Sequence, residues 1–247
     1  MSLAGLRYSP SGHAVVLEGD DADETADALV AEDYDEEFCL SPSFDPEFMA
    51  KLMEAGFLVM AVESGRSPLL LPKLHLERAV LDFADLHEGR TARRLSNRYE
   101  LVVDGDFETI LDRCAAVHGD DWLIPGLRSA FRSLHRARGG GFGPGAAGRA
   151  RLASFALRRN GQLVAGEFGV TVGRAYTSYS GFTDEKSAGT VQLLMTARFL
   201  RESHSAFWDL GMPMRYKEVL GARRVGRADF LSRFRQARAS TDPLSSG

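Results

Sequence analysis

The 247-residue sequence is poor in cysteine, in long apolar runs and in lysine. Cys39 and Cys114 are its only cysteines, and their wide separation matches no metal-ligand spacing, so we expect two reduced thiols and no metal site. No apolar run approaches the roughly 20 residues of a membrane helix. The N-terminus has no basic segment followed by an apolar one, so no secretory signal is expected. These absences predict a cytoplasmic protein without membrane contact.

Charge is distributed unevenly along the chain. Between Arg7 and Lys51 there is no Lys or Arg, while 11 acidic residues fall within 18–37. The first 123 residues carry 10 basic and 26 acidic residues, and the remainder carries 20 basic and 8 acidic. The net charge of −4 argues against general nucleic-acid binding, but a basic half can attract a polyanion locally. Of the basic residues 26 are arginine, which either suits phosphate recognition or reflects genome composition alone.

Residue patterns divide the first half of the chain into short elements. They predict, in order, a strand or hairpin over 7–17, a solvated helix or loop over 18–37, a helix from Asp45-Pro46 to Gly56, extended segments over 57–62 and 69–76, a helical or mixed segment over 77–95, a strand over 99–103, a helix from Asp106, and a helix over 124–135.

The second half begins with the strongest break in the chain. Six glycines fall within 138–148, and without a following Gly-Lys-Ser/Thr this stretch predicts a surface loop rather than a phosphate cradle. The rest predicts strands over 152–158, 162–172 and 175–182, an Asn160-Gly161 hairpin turn, a helix over 189–202, a strand over 206–210, a helical turn over 216–220, a helix over 229–238, and a disordered tail over 239–247.

This order of elements is similar to the core of an N-acetyltransferase (GNAT) fold. We therefore expect an α/β (α+β) protein, with a small N-terminal α+β domain over 1–95 and a GNAT-like domain over 96–238. In that fold the acyl donor lies where two central strands diverge. The acetyl-CoA loop pattern is missing, and Glu185 to Thr190 occupies its place, so no cofactor is expected.

Several motifs in register resemble the leucyl/phenylalanyl-tRNA–protein transferase family. The stretch Asn160 to Val170 resembles the family's D-G-E-L-V-G-G-L-Y-G-V. Upstream, Leu74-His75-Leu76-x-Arg78 resembles L-H-I-S-R, and Trp122-x-Ile124 resembles T-W-I. Downstream, Asp209 followed by Leu220-Gly221-Ala222 resembles D-C-Q…S-L-G-A, and Arg227 to Leu231 resembles P-R-x-x-F-L. The likeness covers roughly residues 38–235.

The resemblance implies an enzyme that moves Leu, Phe or Met from aminoacyl-tRNA to the N-terminus of a protein, creating a degradation signal. Its partners would be the tRNA 3′ end and an N-terminal Arg or Lys, and we expect a monomer. The ester is already activated, so the protein must mainly position the reactants and stabilise an oxyanion. Two alternatives stay open: an acyltransferase of the same fold with another activated donor, and a non-catalytic relative that binds tRNA or N-terminal peptides.

Two departures from the family pattern bear on activity. This chain has Tyr179 where the family's G-E-S-M-F has glutamate, and it has Gly211 where the family's D-C-Q has glutamine. A tyrosine adds bulk and removes a charge, and a glycine deletes both a donor and an acceptor. The resemblance is therefore sharper for architecture than for reaction.

The candidate site residues combine these motifs with side-chain chemistry. Asp209, Tyr179 and Ser180 are predicted catalytic groups that orient the amine or donate to the oxyanion or leaving oxygen. The predicted aminoacyl pocket contains Trp122, Phe182, Phe168 and Met195. The predicted tRNA contacts recur at roughly helical spacing: Arg128, Arg132, Arg136 and Arg138.

Overall fold

The computed structural model describes residues 5–65, 67–119, 121–142 and 148–240. The helices are α1 (Ala22–Ala31), α2 (Pro46–Glu54), α3 (Arg90–Leu95), α4 (Phe107–His118), α5 (Pro125–Arg138), α6 (Ala188–Glu202), α7 (Arg215–Leu220) and α8 (Arg227–Ala239). The strands are β1 (Arg7–Tyr8), β2 (Ala14–Val15), β3 (Leu58–Ser64), β4 (Ser67–Lys73), β5 (Glu77–Leu81), β6 (Glu100–Val103), β7 (Arg151–Arg159), β8 (Gln162–Val172), β9 (Ala175–Thr183), β10 (Phe207–Asp209) and β11 (Arg223–Gly226). Two short 3₁₀ turns follow β5 and α3.

A seven-stranded mixed sheet forms the centre of the molecule. Its strand order is β11-β5-β10-β9-β8-β7-β6, and every pairing is antiparallel except the parallel one between β9 and β10. The hairpins β1–β2 and β3–β4 form separate two-stranded sheets. Helices and sheet together confirm the mixed α/β class.

The predicted hairpin between β7 and β8 is confirmed. Asn160 and Gly161 both have positive φ, at 50° and 77°, as a two-residue turn of the I′ type requires. The strands, α6, β10, α7 and α8 that were predicted downstream also form. Of the predicted disordered tail, residues 241–247 lie outside the described residues, as do 143–147 of the predicted glycine-rich loop.

In the N-terminal part, the predicted helix after Asp45 forms because its first turn is capped. The Asp45 carboxylate accepts a hydrogen bond from the backbone N–H of Phe48 at 2.8 Å, and Pro46 occupies the first helical turn. Phe48, Met49, Leu52 and Met53 then bury one face of α2. The acidic stretch forms α1, which confirms the helical alternative.

The segment 77–95, predicted as helical or mixed, is mixed. It begins with β5, an interior strand of the large sheet between β11 and β10, and continues through a 3₁₀ turn into α3. No element was predicted for its edge partner β11, in which Val225 is the single large apolar residue. The division at residue 95 stays a prediction, and β5 on its N-terminal side pairs within the large sheet.

Apolar side chains cover both faces of this sheet. On one face α2, α4, α5 and α8 contribute to a single core that includes Met49, Ile110, Phe131, Phe168 and Phe234. On the other face α6 packs against Phe155, Tyr176 and Trp208. The middle strands of the sheet are thus buried, and solvent can contact them only where the helices leave a gap.

Candidate functional site

Such a gap is a cavity of about 1030 Å³. Its floor comes from β8 and β9, one wall from the first half of α6, and the opposite wall from the segment from Leu210 to Leu220. The turn before α3 adds His87 and Gly89 to the rim. Because β9 pairs in parallel with the short β10, the cavity opens where the sheet's regular antiparallel pattern ends.

The two floor strands carry a distortion at the cavity. Phe168 pairs with Ser180 and Gly169 with Ser178, so Tyr179 is one extra residue in β9. A bulge of this kind redirects a side chain and bends the strand. Gly169 is required there, because a Cβ atom would lie 2.2 Å from the carbonyl oxygen of Thr177. Because of the bulge, the Tyr179 side chain does not follow the regular alternation of side chains between the two faces of β9.

Glu167 is the acidic group of the cavity floor. Its side chain is buried, with 8% of its surface exposed, in a strand whose other residues are mostly apolar. Tyr176 donates to Oε1 at 3.3 Å and Ser178 to Oε2 at 3.4 Å, while Trp208 Nε1 donates to the Ser178 hydroxyl at 2.8 Å. Burial raises the pKa of Glu167 to about 8, and the two hydroxyl hydrogen bonds only partly oppose this. At neutral pH the carboxyl is therefore mainly protonated.

Lys217 of α7 also lines the cavity without pairing with Glu167. Its Nζ donates to the carbonyl oxygens of Leu210 at 2.6 Å and Met212 at 2.8 Å. Burial lowers the pKa of the ammonium. These two hydrogen bonds hold the Leu210–Leu220 wall segment in place. They also leave Lys217 unpaired with the Glu167 carboxyl group on the cavity floor.

Two of the three predicted catalytic residues, Tyr179 and Ser180, line this cavity. The Tyr179 hydroxyl accepts a hydrogen bond from the backbone N–H of Val59 at 3.0 Å, so its own proton is available to another acceptor. Burial raises the pKa of this phenol, which keeps it protonated. Ser180 lies beside it and bonds the Cys114 thiol.

Asp209, the third, is completely buried and does not line the cavity. Its carboxylate pairs with Arg78 of β5, accepts from Thr177 Oγ1 at 3.0 Å, and accepts from the backbone N–H of Gly211 at 2.8 Å. Arg78 also donates to the carbonyl oxygen of Gly56 at 2.7 Å. The Asp209 carboxylate therefore connects three segments of the chain, through Arg78, Thr177 and Gly211.

The predicted pocket residues fall into different places. Phe182 lines the cavity, with the Arg113 guanidinium 4.2 Å from its ring centroid. Trp122 and Phe168 stack on the opposite face of the sheet, with ring centroids 6.5 Å apart, and Phe168 is fully buried. Met195 packs beside the Leu157 and Val164 cluster and does not line the cavity.

The predicted arginine stripe on α5 is largely engaged by other parts of the chain. Arg132 pairs with Glu108 and Asp112, and Arg138 pairs with Glu47 and Glu54. Arg128 donates to the carbonyl oxygen of Leu123 at 3.0 Å. Arg136 is exposed. Helical spacing could not reveal these partners, because they lie on α2 and α4.

A different group of arginines lies on α3, next to Gly89 and Ala92, which line the cavity. Arg90, Arg93 and Arg94 of α3 are exposed, and none has an ion pair within 4.0 Å to a described residue. Ala92, between them, lines the cavity. Sequence reasoning missed this group, although the run Arg-Thr-Ala-Arg-Arg was a visible signal. We call Arg90, Arg93 and Arg94 the rim arginines.

Two further searches of the described residues bear on the class of site. Residues 5–65, 67–119, 121–142 and 148–240 contain no group of three or more His, Cys, Asp or Glu side chains that could hold a metal ion. Within these ranges no helix has the length and apolarity to cross a membrane.

Comparison with known proteins gives a consistent family. The model of the family described as leucyl/phenylalanyl-tRNA protein transferase matches residues 80–235, which is more than half of the chain. The transferase of that name from Pseudomonas putida (strain W619) is 31% identical over 158 residues, covering 62% of this chain and 65% of that protein. The one from Rubrobacter xylanophilus is 28% identical over 194 residues, covering 78% of this chain and 94% of that protein. The chain thus spans just under two thirds of the first of these relatives.

Solved structures are more distant. FemX has a TM-score of 0.46 at 10% identity, covering 90% of this chain and 81% of that one. The C-terminal domain (DUF2156) of a putative lysylphosphatidylglycerol synthetase from Agrobacterium fabrum has a TM-score of 0.40 at 14% identity, covering 97% and 76%.

The sheet and its cavity define a mixed α/β protein with a ligand-sized site on two adjacent central strands. All residues that line the cavity, from His87 to Leu220, fall within the region that the family model matches. The chain belongs to the leucyl/phenylalanyl-tRNA protein transferase family.

Proposed function

We propose that this protein is an aminoacyltransferase that moves an amino acid from aminoacyl-tRNA to the N-terminal amine of a protein, marking that protein for turnover in the cytoplasm. The observation that carries the proposal is that the family match contains the whole cavity. The parallel β9–β10 pair beside the cavity supports a GNAT-like arrangement for residues 96–238. The smaller domain proposed for 1–95 contributes β5 to the same sheet.

The cavity suits the two reactants by size and by lining. A volume of about 1030 Å³ is at the upper end of ordinary small-molecule sites, so it can hold an aminoacyl group together with part of the terminal adenosine. Its walls are apolar at Phe182, Leu193, Leu194 and Leu220, as an amino-acid side chain requires. We assign the rim arginines to the phosphates of the incoming 3′ strand, because they are exposed on α3 on either side of Ala92, which lines the cavity.

The reaction needs two contributions from the protein, a hydrogen-bond donor to the developing oxyanion and a proton for the leaving oxygen. The neutral acceptor amine attacks the ester carbon, an oxyanion develops, and the C–O bond to the ribose breaks. The ribose oxygen gains a proton, and the amine nitrogen loses one as the amide forms. An N-terminal amine has a pKa of about 8, so part of it is already neutral at pH 7. We assign the Tyr179 hydroxyl as the donor to the oxyanion or the leaving oxygen, because it is protonated and its proton is free. Ser180 is the second donor in reach of the same cavity.

Asp209 acts as a positioning residue in this proposal. Its bonds to Thr177 of β9 and to Gly211 fix the strand end and the start of the cavity wall. Phe182 forms part of the aminoacyl pocket. Trp122 and Phe168 lie on the face of the sheet that α4 and α5 cover, and the Tyr179 ring stacks on Phe168 on that same face with centroids 5.9 Å apart.

Transfer from charged tRNA to a defined peptide tests the proposal. The purified chain is mixed with tRNA charged with labelled Leu, Phe, Met, Lys or Arg and with a peptide that begins with Arg. A peptide of the same sequence with an acetylated N-terminus is the control. We expect label on the free peptide and none on the acetylated one. Intact tRNA binding with no transfer from any of the five donors would instead identify a non-catalytic relative.

A further inference from the structure

Glu167 stands in the aminoacyl cavity where the family motif has leucine. The stretch Asn160 to Val170 follows D-G-E-L-V-G-G-L-Y-G-V closely, but its eighth position is an acid. The neighbours of Glu167 in β8 are buried and apolar, so nothing in the strand itself favours a carboxyl group there. A buried acid in an apolar strand is costly unless it is neutralised or paired.

Among the residues that the structure describes, none supplies that pair. Two hydroxyl groups approach Glu167, at 3.3 and 3.4 Å, and no basic nitrogen of a described residue lies within 4.0 Å of its carboxyl. The nearest candidate, Lys217, uses its ammonium group on the carbonyl oxygens of Leu210 and Met212. The Glu167 carboxyl group therefore lines the cavity and is available to pair with a cation of a bound ligand.

The surrounding walls restrict what that cation can be attached to. Leu193 and Leu194 of α6 and Leu210 and Leu220 near α7 line the same cavity. These side chains suit methylene groups and offer no hydrogen bonds to a polar stem. A ligand that satisfies both walls and floor has an apolar stem that ends in a positive charge.

We propose that the amino acid carried by the donor tRNA is basic, of the lysine or arginine class, and that its side-chain cation pairs with Glu167 in place of the Leu- or Phe-type contact. This inference rests on the proposed function, because it names the substrate class of the same site.

The acceptor amine is a poorer occupant of this position for a chemical reason. That amine must lose its proton in order to attack the ester, and a paired carboxylate would hold the proton on it. A side-chain cation does not react, so the pairing costs nothing in the transfer step.

Binding of a basic donor is expected to depend on pH. The titratable and charged groups near Glu167 are Tyr176 of β9, Tyr216 and Lys217 of α7, and His87 and Arg215, which line the same cavity. Burial raises the pKa of the two phenols, so these stay protonated at neutral pH. Burial lowers the pKa of the Lys217 ammonium. Because the unliganded Glu167 carboxyl has a pKa of about 8, a cation must displace its proton. Affinity should then rise by up to about tenfold per pH unit below pH 8.

Binding of stable donor analogues separates this inference from the transfer reaction. The probes are adenosines that carry lysine or leucine through a 3′ amide, which cannot be transferred. Calorimetry at pH 6, 7 and 8 compares the unaltered protein with Glu167→Leu, Glu167→Gln and the control Glu218→Gln. Glu218 is exposed on α7 and does not line the cavity.

We expect the unaltered protein and Glu218→Gln to bind the lysyl analogue at least tenfold more tightly than the leucyl one, with affinity for the lysyl analogue rising with pH. Glu167→Leu should reverse the preference, and Glu167→Gln, which keeps the side-chain shape, should remove the pH dependence. Thermal denaturation checks that each variant folds, and Glu167→Gln alone decides the matter if the leucine variant does not.

The opposite outcomes overturn the inference. Preference for the leucyl analogue in the unaltered protein, or equal loss of both analogues in Glu167→Gln, would exclude a cation site for the donor. Transfer of leucine but not lysine would do the same while leaving the proposed function in place. Lysyl preference in binding with no transfer from any charged tRNA would support the cation site and reject the aminoacyltransferase.

Discussion

Glu167 places an ionisable group inside the sheet, and its proton makes stability depend on pH. In the folded protein its pKa is about 8, and in the unfolded chain a glutamate titrates near 4.3. Between these values the folded state binds more protons than the unfolded state. The free energy of unfolding should therefore fall as pH rises from about 4.5 to about 8, by at most about 1.4 kcal/mol per pH unit, and level off above pH 8.

The variant Glu167→Gln should lack this slope, so its stability relative to the unaltered protein should increase with pH across that range. Urea denaturation at half-unit steps from pH 5 to pH 9 measures the difference. His75 contributes with the opposite sign, because burial lowers its pKa to about 4 and stability is lost as pH falls below about 6.5. That contribution cancels between the two proteins. Parallel profiles for both would contradict the assignment, and Glu218→Gln should retain the original slope.

At the scale of secondary-structure elements, the ion pair between Arg78 and Asp209 connects β5 to β10. Arg78 has 1% of its side chain exposed and Asp209 has none, and the guanidinium also stacks 4.2 Å from the ring centroid of Phe230 in α8. A buried pair of this kind contributes little net stability, but loss of one partner leaves a bare charge in the core.

We expect Asp209→Ala to destabilise the protein by about 3–5 kcal/mol, with loss of transfer following from loss of the fold. The double variant Arg78→Met with Asp209→Asn should recover much of this, because the charge is gone and the amide oxygen still accepts from Gly211. Urea denaturation measures stability, and transfer from charged tRNA is assayed in the same samples. Recovered stability with recovered transfer fits a positioning role; recovered stability without transfer would make the Asp209 carboxylate catalytic.

The elements differ in how far their sequences determined them. The strands β7 to β9 were predictable because Asn160-Gly161 fixes a hairpin and the flanking runs are apolar. The strand β5 was not, because Arg78 interrupts its apolar pattern and only Asp209, 131 residues away, explains that charge. Tyr179 and Ser180 could be named as candidates from a single motif. The role of Glu167 could not, because it depends on a cavity formed by segments between residues 87 and 220.

On the scale of the whole molecule, the acidic first half and the basic second half partly neutralise one another. Asp23 and Asp27 of α1 pair with Arg235 of α8, and Asp23 also pairs with Arg238. The acidic stretch thus covers part of the basic surface from within the chain. Basic groups that stay available to a polyanion must lie elsewhere, and the rim arginines are a group that meets this condition.

Neutralising the rim arginines should weaken tRNA binding and its dependence on salt. Each phosphate contact to a single strand contributes about 0.7 to the slope of log K against log salt, so Arg90→Gln, Arg93→Gln and Arg94→Gln together should reduce that slope by about 2. Binding of uncharged tRNA between 50 and 300 mM salt measures the change. Arg132→Gln is the matched control, since Arg132 is paired with Glu108 and Asp112 and should leave the slope unchanged. If instead Arg132→Gln lowers the slope and the triple variant does not, the tRNA lies along α5, as the spacing of Arg128, Arg132, Arg136 and Arg138 first predicted.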